Sequence, residues 1–187
     1  AHALQDPPMG TGHAVLCAKD AMAGFDGNVI VLYADTPLIN HATAQKAFEA
    51  VEKGASIAVL GFVAKDAGAY GRLVENASGD LVEIVEAKEA TPEQLKINLC
   101  NSGVMAGPND VMFAHLANVT NQNAKGEYYL TDVVGLAVQA GQKCVAVRGS
   151  EDEVMGVNSR LELAEAERLP SPKTQPIDGG WRNFNCT

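Results

Sequence analysis

Apolar positions along the chain change period several times, and each change predicts an element. In "GTGHAVLCAKDAMAGF" the apolar residues Val15, Leu16, Ala18 and Met22 recur at helical spacing, which predicts a helix closing near Gly24. "NVIVLYAD" is a short, nearly continuous apolar run bounded by turn residues, as expected of a strand covered on both faces and ending on Asp35. "HATAQKAFEAVEKG" is an Ala-rich helix with Gly54 as its C-terminal cap, and "SIAVLGFVA" is a second buried strand. Strand, helix, strand is the order of a βαβ unit, which predicts a parallel pair and a right-handed crossover.

After this the pattern alternates. "YGRLVEN", "ASGD" and "LVEIVEAKEA" form a hairpin signature, two alternating runs about a Ser-Gly-Asp turn. "INLCNSGVMAGP" reads as a further strand, followed by the helix "NDVMFAHLANV" with Asn109 or Asp110 near its N-cap. The polar loop "TNQNAKGE" leads to the helix "YLTDVVGLAVQAG", the strand "KCVAVRG" and a terminal helix in "SRLELAEAERL". No internal repeat is present. The sum is an α/β fold, a mixed sheet with a parallel core, an inserted antiparallel hairpin and flanking helices. From Pro170 onward "PSPKTQPIDGGWRNFNCT" has no periodicity, which predicts an exposed, poorly ordered tail at 170–187 with Trp181 as an incidental aromatic.

Composition narrows the function classes. At 187 residues, 47% hydrophobic and 20% charged, the chain fits one soluble domain with a real core. A net charge of -9 argues against nucleic acid as a partner. An anionic small molecule remains compatible if a metal or a local cationic cluster offsets that field. No stretch approaches the roughly 20 apolar residues of a membrane span, and no basic region precedes an apolar run at the N-terminus, so a cytoplasmic location with no membrane partner is expected. Cys17, Cys100, Cys144 and Cys186 are scattered, without metal spacing, and read mainly as packed thiols; Cys100 is placed in that class.

Four constellations carry candidate chemistry. "LQDPPMGTGHAV" places Gly10 and Gly12 in a loop that opens a helix, where backbone N–H groups can approach a planar or anionic ligand; taken alone, a plain helix start explains it better. Asp35 is either turn chemistry in Asp-Thr-Pro or a carboxylate at the crevice where open α/β sheets bind ligands. Gly71, Glu86 and Asn101 each lie in or beside strands that should share one edge of a cleft, although Glu86 alone fits a solvated strand residue and Asn101 a turn. Asn158 precedes a helix, as an N-cap or as a ligand.

Taken together, "GTGHA", "LYADTPLI", "YGR", "IVEAKEAT", "NSGV", "NAKGEYYLTD" and "GVNSRLELAEAE" occur in the order and spacing of a known family. Over residues 5–169 the chain resembles the uridyltransferase domain of the bacterial bifunctional enzymes that join a UDP-N-acetylglucosamine pyrophosphorylase to a glucosamine-1-phosphate acetyltransferase. The resemblance implies a Rossmann-like nucleotide-diphospho-sugar transferase fold, with a mixed, mostly parallel sheet. It also implies uridylyl transfer from UTP to N-acetylglucosamine 1-phosphate, giving UDP-N-acetylglucosamine and pyrophosphate for cell-wall precursors. On this resemblance Gln5, Gly10 and Thr11 match the uracil-reading loop. Tyr33, Ala34 and Asp35 match a Tyr-Gly-Asp whose Asp holds the catalytic Mg²⁺, and Asn158 matches the second protein ligand of that metal. Gly71, Glu86 and Asn101 match the amino-sugar site; Tyr129 and Thr131 line the sugar side, and Lys88 faces the phosphates.

The departures shape the expectation as well. The family's opening strand and Gly-rich loop of type L-x-x-G-x-G-T-R-M, with the lysine after it, are not in this chain. Nor is the trimerising C-terminal β-helix of hexapeptide repeats, so residues 1–169 are expected to be a partial nucleotidyltransferase domain. Ala34 replaces the family's Gly and is expected to take an ordinary φ, since a positive one would cost about 1 kcal/mol. A non-catalytic UDP-sugar-binding module, a nucleotidyltransferase for another sugar phosphate and a poorly folding gene fragment are the alternatives.

Overall fold

The computed structural model describes residues 2–157, 159–168 and 185–186. The expected metal ligand Asn158 and the expected tail, apart from Asn185 and Cys186, lie outside the described residues. In chain order the elements are β1 (His2–Ala3), α1 (Thr11–Leu16), β2 (Asn28–Val31), α2 (His41–Glu52), β3 (Ile57–Val63), β4 (Arg72–Glu75) and β5 (Leu81–Val85). There follow β6 (Leu99–Pro108), α3 (Asn109–Leu116), α4 (Asp132–Gln139), β7 (Cys144–Gly149), α5 (Arg160–Ala166) and β8 (Asn185–Cys186).

The main sheet has the order β2-β6-β3-β7-β5-β4, and β1 pairs with β8 apart from it. Four of its six strands, β2, β3, β4 and β7, share one direction, and β5 and β6 oppose them. Within this sheet, among the described residues, only β3 and β7 are parallel neighbours. The expected βαβ unit is therefore corrected in one respect: β2 and β3 run the same way but do not pair. The ten-residue β6 is long enough to lie between them, pairing β2 through Met105–Pro108 and β3 through Leu99–Ala106.

β3 is the centre of the core. Ile57 to Leu60 and Phe62 are at most 1% exposed, because helices cover both faces of the strand. On one face Ala58 and Ala106 meet Ala47 and Val51 of α2; on the other Ile57 and Val59 meet Met112 of α3 and Val133 and Val134 of α4. α2 starts where Asn40 Oδ1 accepts the Thr43 N–H at 2.8 Å, and Gly54 follows its end at φ +100°, the cap expected from sequence. The hairpin turns where Asn76 Oδ1 accepts the N–H groups of Ser78 and Asp80 at 2.9 and 3.0 Å.

Three boundaries differ from expectation. The first helix stops at Leu16, its hydrogen bonds tighten to i−3 at Ala18 and Lys19, and a 3₁₀ turn at Asp20–Met22 continues it. The apolar face read from sequence is still the buried one, since Val15, Leu16, Ala18 and Met22 all pack into the main cluster. α3 begins at Asn109 itself, whose amide reaches back to the Phe25 carbonyl at 3.0 Å instead of capping the helix. β2 ends at Val31, so Asp35 sits in a turn beyond the strand. Its ladder partner runs out there because Gly103, at φ +88°, bends β6 away from the register. Among the described residues no helix is long and apolar enough to cross a membrane.

Candidate active site

The Gln5–Thr11 loop is fastened to the segment before α4. Gly12 N–H donates to the Tyr128 carbonyl and Tyr128 N–H to the Met9 carbonyl, both at 2.8 Å, and Leu130 N–H donates to Thr11 Oγ1 at 3.1 Å. This close approach accounts for the glycines. A Cβ on Gly10, at φ +106°, would fall 2.6 Å from the Tyr128 oxygen, and one on Gly12 would fall 3.1 Å from it. The Gly12 N–H is spent on that contact, so the expected approach of this amide to a ligand is corrected to a packing role. Gln5 closes the loop, its amide donating to the Gly10 carbonyl at 2.9 Å and lying 3.1 Å from His13 Nδ1.

Tyr33 ties this loop to the sheet. Its ring lies on Gly103, and its hydroxyl faces Thr11. Burial pushes the phenol pKa up; the Thr11 side chain opposes the shift, and the Asp35 charge adds to it. The turn after Tyr33 is held by Thr36, whose hydroxyl donates to the Tyr33 carbonyl at 2.9 Å. Ala34 lies exposed in this turn, and no described non-glycine residue has a positive φ, so Ala34 takes the ordinary backbone expected. Asp35 is exposed, and its main-chain carbonyl accepts the Val157 N–H at 2.7 Å. Its carboxylate makes no hydrogen bond or ion pair with any described residue.

Gly71, Glu86 and Asn101 do converge. Asn101 N–H donates to the Gly71 carbonyl at 2.8 Å, and a Cβ on Gly71 would lie 3.6 Å from Glu86 Oε1. Asn101 Oδ1 then accepts the Gly103 N–H at 2.9 Å, which links the trio to the glycine beneath Tyr33. The trio is positioned by Arg72, only 3% exposed, whose guanidinium donates to the carbonyls of Ala67, Tyr70 and Gly68. Sequence reasoning did not single out Arg72 or Gly103. The signals were an arginine opening an apolar strand and a glycine interrupting one.

Thr131 and Asp132 open α4 on the far side of the trio. Burial raises the Asp132 pKa, and the charges of Glu89 and Glu86 raise it further. A cavity of about 320 Å³ lies between β5 and α4, lined among others by Glu83, Ile84, Thr131 and Asp132. Tyr129 is half-buried, its carbonyl accepting the Asp132 N–H at 3.3 Å. Lys88 stands apart, exposed beyond β5 and without an ion pair to a described residue.

The chain matches the model of the nucleotidyl transferase family over residues 1–182. It is 58% identical over 165 residues to the bifunctional protein GlmU of Maricaulis maris, an alignment covering 88% of this chain and 36% of that protein. Against the bifunctional protein GlmU of Hyphomonas neptunium the identity is 54% over 167 residues, covering 89% and 36%. The chain thus spans about 36% of the length of the curated relatives it matches. Among solved structures it resembles a nucleoside-diphosphate-sugar pyrophosphorylase from Vibrio cholerae RC9, with TM-score 0.59, 15% identity, and coverage of 86% of this chain and 65% of that one. A UDP-glucose pyrophosphorylase complexed with UDP-glucose gives TM-score 0.61 at 20% identity, covering 77% and 55%. At these identities the structural likeness shows the fold.

Proposed function

The chain belongs to the nucleotidyl transferase family, and on that premise we propose that its cleft serves uridylyl transfer from UTP to N-acetylglucosamine 1-phosphate. The observation that carries this reading is the continuity of the site. Thr11 meets Tyr33, Tyr33 covers Gly103, and Asn101 joins Gly103 to Gly71 beside Glu86. The loop, the turn and the trio are thereby linked by contacts, which supports reading them together as the places for the base, the cation and the amino-sugar.

In the reaction a phosphate oxygen of the sugar phosphate attacks the α-phosphorus of UTP. The bond from that phosphorus to the bridging oxygen breaks, and pyrophosphate leaves with the electron pair. The nucleophile is already ionised, so no side-chain base is required. Gln5, Gly10 and Thr11 hold the uracil edge, Glu86 and Asn101 orient the amino-sugar, and Tyr129 and Thr131 border it. Tyr33 and Ala34 carry the turn that presents Asp35. Lys88, exposed and without an ion pair to a described residue, faces the phosphates.

The residues fit Mg²⁺. Asp35 offers a hard anionic oxygen with no competing partner, and among the described residues no cluster of three or more His, Cys, Asp or Glu forms a full cage. One carboxylate, with Asn158 as a second oxygen donor outside the described residues, suits an ion that takes its remaining ligands from water and substrate phosphates. Such an ion, when bound, screens the repulsion between the two anions and steadies charge on the leaving group. The test is pyrophosphate release from UTP and N-acetylglucosamine 1-phosphate with Mg²⁺. Release that depends on both substrates is expected; release only with another sugar phosphate, or with none, overturns the reading.

A further inference from the structure

The residues behind the Asp35 turn form a clamp with no counterpart in the roles assigned so far. Glu153 accepts hydrogen bonds from the Asn40 amide and, at 2.8 Å, from the Thr43 hydroxyl, which is 2% exposed. The same carboxylate accepts the Ser150 N–H at 3.4 Å, while Ser150 Oγ accepts the Glu153 N–H at 3.3 Å. Ser150 and Glu153 thus form a reciprocal pair, in the manner of a capping box, at the start of the 3₁₀ turn Asp152–Val154, whose N-cap is Glu151. Asn40 is at the same time the N-cap of α2. One carboxylate therefore joins two helix starts.

We infer that Glu153 is a positioning residue for Asp35. The Asp35 turn is bounded on one side by Asn40, and on the other Val157 N–H grips the Asp35 carbonyl at 2.7 Å. Thr36 holds the turn locally, while Glu153 holds Asn40 and lies four residues before Val157, so the two longer-range supports lead back to it. Asp35 itself is exposed and its carboxylate makes no hydrogen bond or ion pair with a described residue, so its placement follows from its backbone and the clamp behind it. The inference rests on the reading of Asp35 as a cation ligand. Outer-shell groups that orient a ligand commonly change metal affinity by about 10- to 100-fold when removed.

The experiment measures Mn²⁺ affinity of the full chain from the free-ion paramagnetic resonance signal, with and without UDP-N-acetylglucosamine, alongside thermal melting. Glu153→Lys sets a donor-only ammonium against the Asn40 amide nitrogen. Asn40→Asp keeps the helix cap but sets a carboxylate against Glu153. Each variant is expected to weaken Mn²⁺ binding about tenfold. The double variant exchanges donor and acceptor, restoring the contact, and is expected to return affinity to within about twofold of the parent; general damage to the fold would not be rescued in this way. If Asp35→Ala weakens binding while folded clamp variants bind normally, or if the double variant is no better than the singles, the positioning role is overturned and the Asp35 reading stands. If Asp35→Ala binds Mn²⁺ like the parent, the Asp35 reading falls and the clamp's role with it.

Discussion

The ring of Tyr33 lies over Gly103 so closely that a Cβ on the glycine would sit 2.8 Å from Tyr33 Cε2. Gly103 also has φ +88°, a conformation strained for any L side chain. Gly103→Ala therefore meets both a clash and backbone strain, and is expected to lower stability by about 1–3 kcal/mol. Urea denaturation followed by tyrosine fluorescence measures the loss. Wild-type stability in this variant would mean that the ring can move aside and that the contact does not define the rim.

Arg72 offers a second test. Its guanidinium is the partner of three loop carbonyls, so Arg72→Met takes this donor from Gly68 and Tyr70 and leaves Ala67 with the Tyr70 N–H alone. A cost of about 2–4 kcal/mol is expected, with faster amide exchange in the loop. Arg72 also opposes the burial that pushes the Cys100 thiol up. The Cys100 thiol should titrate higher still in the variant, provided the chain remains folded.

Alkaline pH should unfold the chain partly through one thiol. Burial raises the Cys144 pKa from 9.0 to about 11. A raised folded pKa means the unfolded chain loses its proton first. The stabilisation is thus fully present below pH 9 and is lost as pH climbs through about 11. Cys144→Ala should flatten this fall, whose full size is roughly 2 kcal/mol. Tyr33, also raised, supplies a further decline starting near pH 10 that the Cys144 variant retains.

Gly10→Ala tests the packing reading of the glycine loop. Its Cβ would meet Tyr128 backbone, which cannot swing away as a side chain can. A stability loss above about 1 kcal/mol is expected, with weakened protection of the Tyr128 amide in hydrogen exchange. Unchanged stability would show that the two segments separate freely.

The elements were legible in the sequence because their periods were strong. Apolar runs marked β3 and β7, an Ala-rich run closed by Gly54 marked α2, and Ser-Gly-Asp marked the hairpin. The convergence of Gly71, Glu86 and Asn101 was legible from motif order, and the trio meets where β4 joins β6 at Arg72 and Cys100. Strand order was not legible: periodicity says which residues are buried but not that β6 lies between β2 and β3. Asp35 was read as a strand end because "NVIVLYAD" is apolar throughout, whereas the ladder is broken from the other strand, at Gly103. Glu153 was hidden for a similar reason. A local Ser-x-x-Glu pair gives no sign that Asn40 and Thr43 meet the same carboxylate across the fold.

The central claim is that this cleft reads a UDP-linked amino-sugar through a cation at Asp35. The exposed, unpartnered Asp35 side chain predicts that Asp35→Ala changes folding stability by less than about 0.5 kcal/mol, so a binding loss in it is not an unfolding effect. The most direct measurement is calorimetric titration of the chain with UDP-N-acetylglucosamine and Mg²⁺, with UDP-glucose and Asp35→Ala as comparisons. The account predicts Mg²⁺-dependent binding that prefers the N-acetylated sugar and is lost in Asp35→Ala. Equal binding of both sugars, or binding unchanged in the variant, would contradict it.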